Sequence, residues 1–378
     1  MSHLSRFVTV WSLLQARVDD GRLPGFAAAV RHRGEVEVHA AGCLTLGSAD
    51  RVEPESLFRI ASLSKPYAGA LTLALVEDGV LDLDDPVARW LPELAEPRVL
   101  AARGAALADT VAADRPITVR HLLTSTPGFG GIWDGSPLAE AIGARGIGPG
   151  PMPPELAPAE FLARLGELPL AAQPGERWLY HISAEVLSVL LARATGRPLG
   201  ELLTDRVTGP LRLRSTAFWA RDARWLSTGY LPDGDGLAVL DPEGRSARPP
   251  VFEGLAGGLV ATAPDVLGFF AALADGGGPV LTPGSVAEMT TDVLTPEQRD
   301  DAAMLLAPGR SWGLQVGLDV APTWAGATPG RWGWDGGTGT SGWADPGRDL
   351  VAVLLTNRGM AGPQDGLDWF WRALYRCL

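Results

Sequence analysis

The chain has 378 residues, 46% hydrophobic and 20% charged, the make-up of a folded globular protein and not of a disordered or fibrous one. A net charge of −12 argues against nucleic acid and anionic membrane surfaces as partners. No apolar run reaches the ~20 residues that a membrane-spanning helix needs. Two cysteines, Cys43 and Cys377, are too few for a disulfide framework or a metal cage.

The first predicted element is a helix, because Leu4, Phe7, Trp11, Leu14 and Val18 recur at helical spacing. Arg6 ahead of an apolar run imitates a signal peptide, but polar residues interrupt that run and no small-residue cleavage site follows. The helix is therefore expected to stay in the mature protein, and free thiols then point to a reducing cytoplasm. Phe26 to His32 and Glu35 to Gly42 read as two strands joined at Arg33-Gly34, with Val36 and Val38 alternating with Glu35 and Glu37. Pro66 to Glu77 carries apolar residues at helical spacing. Further helical patterns cover Thr118 to Leu123, Ala159 to Leu168 and Ala184 to Ala194, and Pro/Gly-rich connections between them are densest from Gly128 to Pro158. Pro264 opens a helix over Asp265 to Ala274, which Gly276 to Gly278 stop. Strands return at Gly313 to Asp319, Thr340 to Ala344 and Leu350 to Thr356, before a last apolar helix, Leu367 to Leu374. This order implies an α/β (α+β) fold: an antiparallel sheet built from both chain ends, flanked by helices, with a helical domain inserted in the middle. Residues 1–85 and 250–378 are expected to form the sheet domain and 86–249 the helical one, with the active site between them.

One lysine, Lys65, stands among 32 cationic side chains. Wherever a fixed positive charge suffices, the chain uses arginine, which keeps its proton; a lysine gives its proton up once desolvated. Lys65 follows Ser62 by three residues, and the pair opens the Pro66 to Glu77 helix, where positions i and i+3 share a face. A serine hydroxyl needs a neighbouring base to become a nucleophile, and a helix N-terminus supplies N–H groups and a positive dipole end for an oxyanion. Compositional bias towards arginine is the bland alternative for a single surviving lysine.

Phe58-Arg59-Ile60-Ala61-Ser62-Leu63-Ser64-Lys65-Pro66, followed by Leu75 to Pro86, resembles the serine β-lactamase and penicillin-binding-protein superfamily, above all class C β-lactamases and their esterase relatives. Ile117 to Gly128, Gln173 to Tyr180, Gly257-Gly258-Leu259, Gly333 to Gly339, Asp345-Pro346 and Leu355-Thr356-Asn357 match in order, so the likeness runs from about Pro24 to the C-terminus. It implies a β-lactamase-like fold, Ser62 as nucleophile, Lys65 as its base and Tyr180 as a second acid/base group, with no metal or cofactor. The backbone N–H groups of Ser62 and Gly337 would form the oxyanion hole. Lysine and tyrosine could share the proton work if the local charge lowers the pKa of both.

Two departures point to a carboxylesterase branch. The family's Tyr-x-Asn is Tyr180-His181-Ile182 here, placing an apolar residue where an asparagine would bind a substrate amide. The family's Lys-Thr-Gly edge strand is Trp334-Asp335-Gly336, which removes a positive clamp for a substrate carboxylate and sets an aspartate there instead. Ile182, Trp334, Asp335 and Gly336 are thus the expected substrate contacts, and a small-molecule ester with an uncharged acyl group is the expected substrate. Trp133 and Met152 either line an acyl pocket or are scattered loop hydrophobes. Acyl transfer, a β-lactamase or D-amino-peptide amidase activity, and a non-catalytic binding scaffold stand as alternatives.

Other signals lead elsewhere. Gly309-Arg310-Ser311-Trp312-Gly313 spells a nucleophile elbow, but it lacks the strand before, the helix after and a later histidine. His121 is expected to be structural, and His181, although it adjoins Tyr180, is not expected to tune it. Nothing in the spacing of His, Cys and carboxylates suggests a metal.

Overall fold

The computed structural model describes residues 5–378 apart from 325 and 364, so Leu4 of the expected first helix lies outside the described residues. Seven strands form one antiparallel sheet: β1 (Gly25–His32), β2 (Glu35–Gly42), β3 (Arg310–Trp312), β4 (Gly317–Asp319), β5 (Trp332–Gly336), β6 (Thr340–Asp345) and β7 (Leu350–Thr356). Their spatial order is β2-β1-β7-β6-β5-β4-β3. β1 pairs with β7 from Phe26 opposite Thr356 to His32 opposite Leu350, so the two ends of the chain meet at the centre of the sheet, as expected. β7 is buried along its whole length, which explains why it reads as a continuous apolar run and not as an alternation.

Seven of the helices frame the sheet and the cleft: α1 (Val8–Asp19), α2 (Lys65–Glu77), α3 (Val119–Leu123), α4 (Pro158–Gly166), α5 (Ile182–Thr195), α6 (Ala263–Ala274) and α7 (Asp368–Tyr375). The period-two alternation of β6 assigns their sides. A side chain at Gly342 would run into Phe270 of α6, whereas its neighbour Ser341 accepts a hydrogen bond from the Trp371 indole of α7 at 2.9 Å. The segment between α2 and α6 is not purely helical: it also holds hairpins at Arg98–Leu100/Thr110–Ala112 and Tyr230–Asp233/Gly236–Val239. Among the described residues no helix is long and apolar enough to cross a membrane, and none of their His, Cys, Asp and Glu side chains cluster as a metal site would need.

Three details differ from expectation. The β2 alternation exists, but Val36 and Val38 face solvent, because α1 covers the other side: the Trp11 indole donates to Glu37 at 3.0 Å and its ring lies 5.5 Å from that of His39. Gly313 to Asp319 is not one strand. A tight turn with Gly313 N–H bonded to Val316 O at 2.8 Å and Gln315 at φ +64° folds it into the β3–β4 hairpin. Ser311 sits inside β3, fully buried between Arg299 and Asp292, and is no nucleophile. Finally, β5 is not the edge strand of the sheet; β4 pairs with it, though only at Trp332 and Gly333, so Trp334 to Gly336 run on past that pairing.

Candidate active site

Ser62 lies in a short 3-10 turn, Ala61–Ser64, that leads into α2. Ala61 holds φ at +43°, a conformation that costs a non-glycine residue about 1–3 kcal/mol and therefore needs its surroundings to impose it. They do: Thr338 and Thr340 on the β5–β6 turn donate hydroxyl bonds to the carbonyls of Arg59 and Ile60, at 2.5 and 2.9 Å. The Ile60 N–H donates to Leu259 O at 3.0 Å, and the Ser64 hydroxyl accepts from the Leu259 N–H at 3.2 Å. The same turn presents Gly337 to the cavity, and its N–H donates no turn or loop hydrogen bond among the described residues.

Lys65 is fully buried, and its Nζ lies 3.1 Å from Ser62 Oγ, 2.6 Å from the Ala256 carbonyl and 3.4 Å from His181 Nδ1, above the Tyr180 ring at 4.4 Å. Burial brings its pKa down to about 7, opposed by the charge of Glu185. A lysine in that state is a base at neutral pH. Tyr180 moves the other way. Burial raises its pKa, while Ser62, which stands near its oxygen, and the Trp334 indole, which donates to it at 2.6 Å, resist that rise. The expectation that both groups are lowered is therefore half right: the same desolvation penalises the charged form of each, an ammonium in one case and a phenolate in the other. Tyr180 therefore stays a phenol at neutral pH. For a neutral ester, kcat/KM should accordingly rise with pH through one ionisation near 7, the loss of the Lys65 proton, with no alkaline fall before about pH 9. A profile flat from about pH 5 to 9 would contradict this.

The other expected contacts divide. Trp334 lines the cavity, but its indole N–H is spent on Tyr180, and with Trp178 and Trp312 it builds an aromatic wall that holds the phenol. Asp335 also borders the cavity. Being next in the strand, its carboxylate turns to the α7 side, where Ser341 and the Trp343 indole donate to it at 2.5 and 3.0 Å and Arg310 stands 3.8 Å away. The bare negative charge expected there is thus neutralised. Gly336 is not among the cavity's walls: a side chain there would strike the Ile60 carbonyl and Thr340, so the residue lets the hairpin press against the nucleophile turn. Ile182 is buried at the start of α5, outside the cavity walls. Trp133 lines the cavity beside Ser62, whereas Met152 belongs to a neighbouring one. His121 is structural, its N–H and ring completing a reciprocal cap with Thr118 at the start of α3. His181 adjoins Tyr180, but its Nδ1 faces the lysine, which sequence reasoning did not foresee.

The cavity over Ser62 encloses about 750 Å³ between Trp133, Pro149–Pro151, Leu231, Met304, Leu305, Trp334 and Met360. Arg310, Asp335 and Asp368 are the fixed charges on its described walls, and Arg310 is already held by Asp319 at 3.1 Å and Asp368 at 3.4 Å. The family model named Beta-lactamase matches residues 11–376. The chain belongs to the β-lactamase family. Within this family it is 36% identical over 356 residues to an uncharacterized protein of Mycobacterium tuberculosis, covering 89% of this chain and 86% of that one. It is 32% identical over 370 residues to esterase EstB of Burkholderia gladioli, covering 90% and 88%. The solved structure of EstCE1, described as a hydrolase with promiscuous acyltransferase activity, superposes with a TM-score of 0.83 at 26% identity over 98% of both chains. The protein is thus a β-lactamase-like serine hydrolase on a scaffold that carries esterases and acyltransferases.

Proposed function

We propose that the protein is a carboxylesterase for small to medium, uncharged acyl esters, with Ser62 as nucleophile, Lys65 as base and Tyr180 as the proton donor to the leaving group. Ser62 Oγ attacks the ester carbonyl while its proton passes to Lys65 Nζ; collapse of the tetrahedral adduct sends that proton, by way of the Tyr180 hydroxyl, to the departing alkoxide. Water repeats the cycle on the acyl-enzyme. The N–H groups of Ser62 and Gly337 would hold the oxyanion, each such donor stabilising the transition state by about 2.7–4 kcal/mol. One observation carries the choice of substrate. The walls are mostly apolar, and their one arginine is engaged by carboxylates, so nothing on the described walls is free to clamp an anionic group. A cytoplasmic setting belongs to the same reading and is supported by the unpaired thiols of Cys43 and Cys377.

A panel of nitrophenyl esters of graded length, run beside nitrocefin and D-Ala-type amides, tests it. Neutral esters should be favoured by about ten- to a hundredfold in kcat/KM, since an unclamped carboxylate loses a charge-assisted contact of about 1.5–3 kcal/mol. Preferential turnover of nitrocefin or of the amides would overturn the proposal. A roomy cavity also suits acyl transfer: if an acceptor is native, added alcohols or amines will divert acyl flux from water at unchanged enzyme consumption of ester.

A further inference from the structure

Behind Lys65 lies a carboxyl group that the acylation chemistry does not use. Glu185, on the first turn of α5, is 1% exposed, and neither of its oxygens has a well-formed hydrogen bond among the described residues. Burying a carboxyl without partners is costly, so its presence requires an explanation. Two short bridges join it to the lysine. His181 presents Nδ1 to Lys65 Nζ at 3.4 Å, and its Nε2 lies 3.8 Å from Glu185 Oε1. Ala256 gives its carbonyl to Nζ at 2.6 Å while its N–H faces the carboxyl.

The backbone is shaped around this arrangement. His181 holds φ +79° and ψ −66°, at the centre of a γ-turn closed by Ile182 N–H and Tyr180 O at 3.1 Å, a strained conformation that turns the imidazole inward. Gly254 faces the carboxyl so closely that a Cβ there would come within 2.2 Å of Glu185 Oε2. The glycine leaves the space that the carboxyl fills. The titratable groups facing Lys65 are Glu185 and His181 from the α5 side and Tyr180 beneath it; the Gly254–Gly258 segment opposite carries no titratable side chain.

We propose that Glu185, acting across His181 and Ala256, is the buried counter-charge that stabilises the Lys65 ammonium formed when Ser62 attacks. It is a positioning residue: it touches neither substrate nor nucleophile and exchanges no proton in the cycle. His181 stays neutral, burial and the nearby lysine holding its pKa well below the usual histidine value, so it can accept from Nζ through Nδ1 and turn Nε2–H towards the carboxylate. Burial lowers the lysine pKa and raises that of the carboxyl, each opposed by the other's charge, so the two titrate together near 7.

The inference rests on Lys65 being the base, so its test reads Ser62 directly and needs no knowledge of the substrate. Inactivation of the enzyme by a fluorophosphonate, followed against pH, reports the ionisation that activates Ser62. Glu185→Gln, nearly isosteric, should move the acid limb down by about one pH unit and lower the plateau rate about tenfold, because a less basic amine accepts the proton less well. His181→Asn tests the bridge independently: asparagine tolerates positive φ and can still meet Nζ, but it does not reach Glu185. It should shift the limb in the same direction, and the double variant should do little more than Glu185→Gln alone. An unmoved limb in folded Glu185→Gln and His181→Asn, or shifts that simply add, would overturn the counter-charge while leaving the Ser62–Lys65 assignment standing; no labelling of the unmodified enzyme would overturn both.

Discussion

Lys65→Met should lower kcat/KM for a nitrophenyl ester by about 10⁴-fold while the protein remains folded. The size follows from what would be lost: the Lys65 amine, whose Nζ lies 3.1 Å from Ser62 Oγ, is the proposed base for its proton. Methionine fills similar space in a site that is wholly closed, and removing a buried amine removes a desolvation cost together with its bonds to Ala256 and His181. The melting temperature should therefore change little. Arginine at this position would also lack a removable proton, but its planar fork is too large for the closed space around Nζ, so loss of activity there would be mixed with misfolding. Circular dichroism melting beside steady-state kinetics separates the two. More than about a tenth of normal activity in folded Lys65→Met would remove the lysine from the mechanism.

The second large effect is expected for Tyr180→Phe, a fall in kcat of about 10²–10³-fold. The ring stays in place, stacked on Trp178 at 5.4 Å and against Trp334 at 5.8 Å, so the variant deletes only the hydroxyl proposed to return the proton to the leaving group. It also leaves the Trp334 indole N–H without its acceptor, which costs about 1–3 kcal/mol of stability. Esters with nitrophenolate leaving groups need little protonation and should suffer less than alkyl esters. That dependence on leaving group distinguishes a proton donor from a packing residue, for which both classes would fall equally.

How far the sequence foretold this site depends on how local each signal is. Ser62 and Lys65 are legible because one helical turn brings i and i+3 together whatever the tertiary fold, and the wider architecture follows from the order of periodic segments. Trp334 was singled out, but its partner was not: only the register that puts Trp334 opposite Gly342, on the α6 side of the sheet, points its indole at Tyr180. The same alternation turns the Asp335 carboxylate to Ser341, the Trp343 indole and Arg310, which chain order alone does not reveal. Glu185 escaped altogether. It lies amid apolar residues of a helix more than a hundred positions from Lys65, and its burial is decided by Gly254 and Ala256, in a third segment. The His181–Glu185 spacing of four across the start of the helix was the available signal. The Gly313 to Asp319 segment was misread because Gln315 adopts φ +64°, a turn conformation that its residue type does not advertise.

The most direct measurement exploits the solitary lysine. Protein labelled with ¹³C- and ¹⁵N-lysine yields a single set of side-chain resonances, from Lys65, whose shift against pH reads the protonation of the base itself. A midpoint near 7 is expected for the free enzyme. A midpoint near the ordinary lysine value of ~10.4 would mean that Lys65 is an ammonium at neutral pH, unable to activate Ser62, and the account would fail at its centre.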